Sequence, residues 1–117
     1  MTSHDYRSLR EREEAHREEN ENTRRRIEQA EEFIEYYRSR MSSMQEDFSE
    51  VAAREGVADD PRFRWVLERI SDEVDENVHA AVAVVDDLEE EAQQARRRQA
   101  TELETIEDEL RRNAWRD

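Results

Sequence analysis

Apolar residues recur along the chain at alternating steps of three and four. From Ile27 the first half shows Ala30, Ile34, Tyr37, Met41, Met44, Phe48 and Val51, an unbroken stripe with a period of about 3.5 residues. Continued towards the N-terminus, the same steps pick out Tyr6, Leu9, Glu13, His16, Asn20 and Thr23, where the stripe turns mostly polar. The second half carries Phe63, Leu67, Ile70, Val74, Val78, Ala81, Val85, Leu88, Ala92, Ala95, Gln99, Leu103, Ile106 and Leu110. Its extra steps of four mark local departures from a strict heptad.

Between the stripes stand Gly56 and Pro61, the only glycine and the only proline. Gly56 suits the left-handed position that ends a helix. Asp60 before Pro61 suits an N-cap followed by the first helical residue, where a missing N–H strands nothing. The expected organisation is a helix over 4–55, a turn over 56–60 and a helix over 61–114, one helical hairpin spanning 1–117. Two helices of roughly fifty residues would each run about 75 Å. Folding back at the turn sets Val51 against Leu67, Phe48 against Ile70, Met44 against Val74 and Ile34 against Val85. Asn20 falls opposite Gln99, a polar layer able to fix the register. The fold class is therefore all-α: an antiparallel two-helix coiled-coil hairpin with its turn near 56–61, associating further into a helical bundle.

Composition narrows the picture. Of 117 residues 44% are charged and 34% hydrophobic, and two turn-forming residues cannot punctuate a sandwich or an α/β domain. No apolar stretch reaches membrane-spanning length, and the start MTSHDYRSLRERE lacks the apolar core of a signal peptide. These features lead to an expected cytoplasmic location, with export only alongside a partner. A net charge of −14 argues against a general nucleic-acid or anionic-membrane binder. All nineteen basic residues are Arg.

A two-helix hairpin buries one thin stripe, yet the stretch His79 to Val85 is apolar on more faces than one stripe can use. Val82, Ala83 and Val84 lie off the seam, as do Phe33 and Tyr36 on the opposing helix. The cluster is expected to form a second interface, with another hairpin or with a partner's amphipathic helices. The plain alternative is scattered surface hydrophobes. Charges add a second candidate. The register places Arg24 near Arg96 and Glu31 near Glu89, two like-charged levels that a second molecule could complement. Here the plain alternative is solvated faces with local pairs.

Chemistry finds little purchase. Without cysteine there is no disulfide, thiol nucleophile or Cys-based zinc site. His4, His16 and His79 fall on different levels, and none has ligand spacing to another. One glycine cannot build a phosphate loop. No catalytic, cofactor or metal residue is assigned, and the chain is read as a non-enzyme. At the turn Asp59 and Asp60 stand beside Arg62, Arg64 and Trp65. Such an acidic tip would suit a coiled-coil factor entering RNA polymerase, although capping also accounts for Asp60.

The stretch EENENTRRRIEQAEEFIEYYRSRMSSMQEDFSEVAAREG, Glu18 to Gly56, and above all IEQAEEFIEYYRSR within it, resembles the helical hairpins of type VII secretion. It resembles still more the small helical partners of LXG toxins. The WXG signature is missing, since Trp65 is followed by Val66 and then Leu67. No Phe-x-x-x-Asp motif follows Phe33, Phe48 or Phe63 either. What the resemblance implies is partner binding: an adaptor or targeting chaperone for the helical N-terminal region of a secreted toxin. A self-associating phage or scaffold coiled coil, and the acidic-tip factor, remain open beside it.

Overall fold

The structure, a computed structural model, describes residues 3–116 and the side chains of residues 6–115. The side chain of His4 lies outside the described residues. Two helices make an all-α helical hairpin: α1, Ser3–Arg54, and α2, Pro61–Arg116. No strand occurs among the described residues.

The turn is built as its residue types dictate. Gly56 adopts a φ of 73°, a conformation that costs a side-chain-bearing residue dearly. Around it the Val57 N–H donates to the Ala52 carbonyl at 2.9 Å and the Gly56 N–H to the Ala53 carbonyl at 3.3 Å. This paired arrangement, a Schellman motif, satisfies carbonyls that the end of a helix would otherwise leave open. The Asp60 N–H then donates to the Val57 carbonyl at 3.0 Å. Asp60 Oδ1 accepts from the Arg62 backbone N–H at 2.8 Å, and the Asp60 carbonyl accepts from the Arg64 N–H at 3.1 Å. Asp60 is the N-cap of α2, with Pro61 in the first helical position.

The chain divides into two compact units, one of residues 1–27 with 87–117 and the other of residues 28–86. In the first unit, Leu9 and Leu110 are buried, while Ile27, Leu88, Ala92, Ala95, Leu103 and Ile106 are half-buried. Between these apolar levels the seam is polar. Asn20 Nδ2 donates to Gln99 Oε1 at 2.9 Å, and Gln99 Nε2 reaches Glu19 Oε2 at 3.5 Å. Glu102 takes Arg12 on one carboxylate oxygen and lies 3.4 Å from His16 Nε2 with the other. The His16 Nδ1 atom is buried without a hydrogen-bond partner. Glu13, His16 and Asn20 are thus half-buried seam positions, as their spacing predicts, and His16 and Asn20 meet polar partners there.

The second unit contains the turn. Val78, Val85 and Ala52 are its buried apolar residues, with Ala30, Ile34, Tyr37, Met41, Phe63, Leu67, Ile70, Val74 and Ala81 half-buried. Asn77 Nδ2 donates to the Tyr37 hydroxyl at 3.1 Å, and the Ser71 hydroxyl meets Gln45 Oε1 at 3.5 Å. Every α2 position in the expected stripe is buried or half-buried. In α1 the stripe holds from Leu9 to Met41 and then slips. Met44, Phe48 and Val51, expected at the seam, are exposed, and Gln45 and Ala52 take their places. The step from Met41 to Gln45, and the one helical heptad from there to Ala52, insert a stutter that unwinds the coil locally. Opposite it α2 does the same, where Ile70 and Ser71 are both half-buried. The exposed Tyr6 is the other departure from the expected stripe.

Candidate helix-docking surface

The slip decides which residues reach the surface of the second unit. One residue turns a helix by about 100°, so the residue before a seam position points to one flank and the residue after it to the other. In an antiparallel pair, the residues preceding the seam on both helices share a flank. The grooves follow this rule. One groove of about 250 Å³ is lined by Phe33, Ile34, Tyr37, Asn77, Val78 and Ala81. Another, of about 630 Å³, has Arg38, Ser42, Gln45, Ser71, Asp75, His79 and Val82 among its lining. They share Val78, a seam residue, and so lie to either side of it.

The first flank is apolar. On α1 it runs through Phe33, Tyr36, Met44, Phe48 and Val51, and on α2 through Val66, Ala80 and Val84. All eight are exposed, Phe33 at 69% and Val84 at 58%. From Phe33 to Val51 the flank runs nineteen residues, about 27 Å of helix. The second flank is polar and acidic, with Glu31, Glu35, Glu46, Asp75 and Asp86 following their seam residues. Residues 28–86 hold sixteen Asp and Glu against six Arg, a net charge of −10, and the apolar flank carries little of it. Isolated surface hydrophobes are ordinary, whereas a run of exposed apolar residues along one flank, interrupted at Arg40, is a candidate contact surface.

The structure separates the residues expected to act together. Phe33, Tyr36 and Val84 share the apolar flank. Val82, at 37% exposure, lies on the polar flank beside His79, because it follows Ala81 where Val84 precedes Val85. Ala83 is exposed on the outer side of α2. Among the charged candidates, Arg24 Nη2 lies 3.2 Å from Glu21 Oε1, and Arg25 approaches the same oxygen at 3.7 Å. Glu31, Glu89 and Arg96 are exposed. Arg24, Glu89 and Arg96 belong to the first unit and Glu31 to the second. The pairing within α1 is the local kind that neutralises a solvated face.

Met44, Phe48, Val51 and Val66 were not expected on this surface. The signal that reveals them is the set of four-residue steps at the start of the α2 stripe, which α1 has to match.

At the turn both aspartates have neighbours. Asp60 takes Arg62 on its second oxygen at 3.0 Å, and the Arg62 side chain, then its backbone N–H, hold the Asp60 carboxyl below its usual range. Asp59 pairs with Arg64 at 3.2 Å. Trp65 is exposed, with the Arg69 guanidinium 5.1 Å above its ring, a cation–π contact. The turn thus carries arginines as well as carboxylates.

Among the described residues no group of three or more His, Cys, Asp or Glu is arranged to hold a metal ion. No helix among them is long and apolar enough to cross a membrane. No protein-family model, curated protein or solved structure matches the chain.

Proposed function

We propose that this chain is a non-enzymatic helical adaptor that takes an amphipathic helix of a partner protein along the apolar flank of residues 28–86. The observation that carries the reading is the exposed apolar run from Phe33 through Tyr36, Met44 and Phe48 to Val51, interrupted at Arg40, which the seam leaves uncovered. Its length calls for a partner helix of about nineteen residues, contributing anchors at the i, i+3, i+4 and i+7 spacing of helix-in-groove recognition. The net charge of −10 over residues 28–86 favours a partner whose apolar face is bordered by Lys or Arg.

Following the resemblance carried by Glu18 to Gly56, the partner is the helical N-terminal region of a secreted toxin of the type VII class. The chain would shield that region in the cytoplasm and help present it for export.

Site-specific photo-crosslinking in the native host tests this. A benzoylphenylalanine at Phe33 should crosslink an amphipathic helix of another protein, identified by the crosslinked peptide, while the same probe at Ala83 should not. Equal yields from both positions, or no crosslink from position 33 to any other protein, would overturn the adaptor reading.

A further inference from the structure

The apolar flank is complementary to itself. Its α1 side is bulky, with Phe33, Tyr36, Met44 and Phe48, and its α2 side is small, with Ala80 and Val84 at one end and Val66 at the other. Arg69 interrupts the flank nearer the turn, preceding Ile70, and Arg40 and Glu73 interrupt it at its middle, each preceding a seam residue (Met41 and Val74). The latter two are exposed, and neither makes an ion pair among the described residues. The Tyr37–Asn77 and Gln45–Ser71 bonds fix the register and put Arg40 and Glu73 within about two residues, or 3 Å, of one level.

We infer that, without its partner, the apolar flank is covered by a second copy of this chain, related by a two-fold axis parallel to the helices. That axis keeps each residue at its own level and lays α1 of one copy on α2 of the other. Phe33 then covers the Val84 level, Phe48 covers the Val66 level, and Arg40 meets Glu73 of the second copy twice. Each helix gains only antiparallel neighbours, as in a four-helix bundle. A two-fold axis across the helices would instead stack α1 on α1, bulk on bulk, with Arg40 facing Arg40 and Glu73 facing Glu73. Size and charge therefore select the same alignment.

This inference rests on the reading of the flank as the docking face, and it makes partner binding an exchange of one copy for another helix.

Sedimentation equilibrium on the purified full chain tests it. The wild type should be a dimer at micromolar concentration, and Phe33→Glu a monomer of unchanged helicity. Arg40→Glu and Glu73→Arg should each weaken the dimer roughly tenfold, and the two together should restore it. As a second measurement, a Phe33→Cys chain mixed with a Val84→Cys chain should form a disulfide between copies, which the cysteine-free background makes unambiguous. A monomeric wild type overturns the inference, as does a dimer indifferent to Phe33→Glu or a double reversal weaker than either single one. A monomer that still crosslinks a partner through position 33 removes the dimer alone. A dimer that crosslinks no other protein removes the adaptor alone.

Discussion

Asn20 and Gln99 meet across the seam of the first unit, the Asn20 amide donating to Gln99 Oε1 at 2.9 Å. Gln99 is among the most buried residues of the chain, so the bond is what makes its burial tolerable. Removing only Asn20 leaves a buried acceptor unpaired, whereas removing both polar groups leaves apolar surfaces that can pack. Asn20→Leu is expected to cost about 1–3 kcal/mol, and Asn20→Leu with Gln99→Leu to be neutral or more stable than wild type. Urea denaturation followed by circular dichroism measures both. A single variant as stable as wild type would show that the layer does not hold the register.

The slip of the α1 seam makes an opposite prediction for two adjacent residues. Val51 is 47% exposed and Ala52 only 3%. In the monomeric Phe33→Glu background, where the apolar flank is uncovered, Val51→Glu is expected to change stability by less than about 0.5 kcal/mol. Ala52→Glu puts an unpaired charge into the seam and should cost on the order of 3 kcal/mol. Thermal melts of the two variants give the comparison. If Val51→Glu proves the more damaging, the unbroken heptad through Val51 is the correct seam.

That contrast also shows where the sequence was readable and where it was not. Phe63 to Leu110 in α2, and Leu9 to Met41 in α1, could be followed because apolar or helix-compatible residues fall on one line in both. Beyond Met41 the most hydrophobic residues, Met44, Phe48 and Val51, are not the ones the seam takes. Counting hydrophobicity favours them over Gln45 and Ala52, whereas packing against α2 with its own steps of four favours Gln45 and Ala52. The candidate docking surface was legible only in part for the same reason. Phe33, Tyr36 and Val84 stand out as off-seam apolar residues, but their common flank, and the separation of Val82 from it, depend on the direction in which the seam faces. The turn was legible completely, since Gly56, Asp60 and Pro61 each have a backbone role that few other residues can fill.

Gly56 offers a direct check of that role. A Cβ there would meet nothing within 4 Å, so the cost of Gly56→Ala comes from the left-handed backbone and not from a clash. It should be roughly 1–2 kcal/mol, and Gly56→Asn should recover part of it, because Asn tolerates that conformation better. Denaturation midpoints of the two variants are the measurement, and equal losses would show that backbone strain is not the cause.

The cap of α2 gives the hairpin a pH dependence whose sign is fixed. The Asp60 carboxyl titrates below its ordinary value of 3.8, chiefly through the Arg62 side chain and then the Arg62 N–H. A depressed carboxyl stabilises the fold above its unfolded value and loses that contribution as pH falls through the folded one. Asp60→Asn keeps a capping oxygen but removes the charge. Wild type should therefore melt higher than Asp60→Asn at neutral pH, and the gap should close only below about pH 3.8. A gap independent of pH would place the effect elsewhere.

The central claim is that the flank bearing Phe33, and not the one bearing Val82, is covered when the protein works. Since the chain has no cysteine, a single one introduced at either position reports its own surroundings. In the isolated, dilute monomer Phe33→Cys should react with a maleimide faster than Val82→Cys, as their exposures of 69% and 37% require. In intact cells of the native host, the order should reverse, with position 33 protected and position 82 still open. Labelling that keeps the same order in cells as in dilute solution would contradict the account.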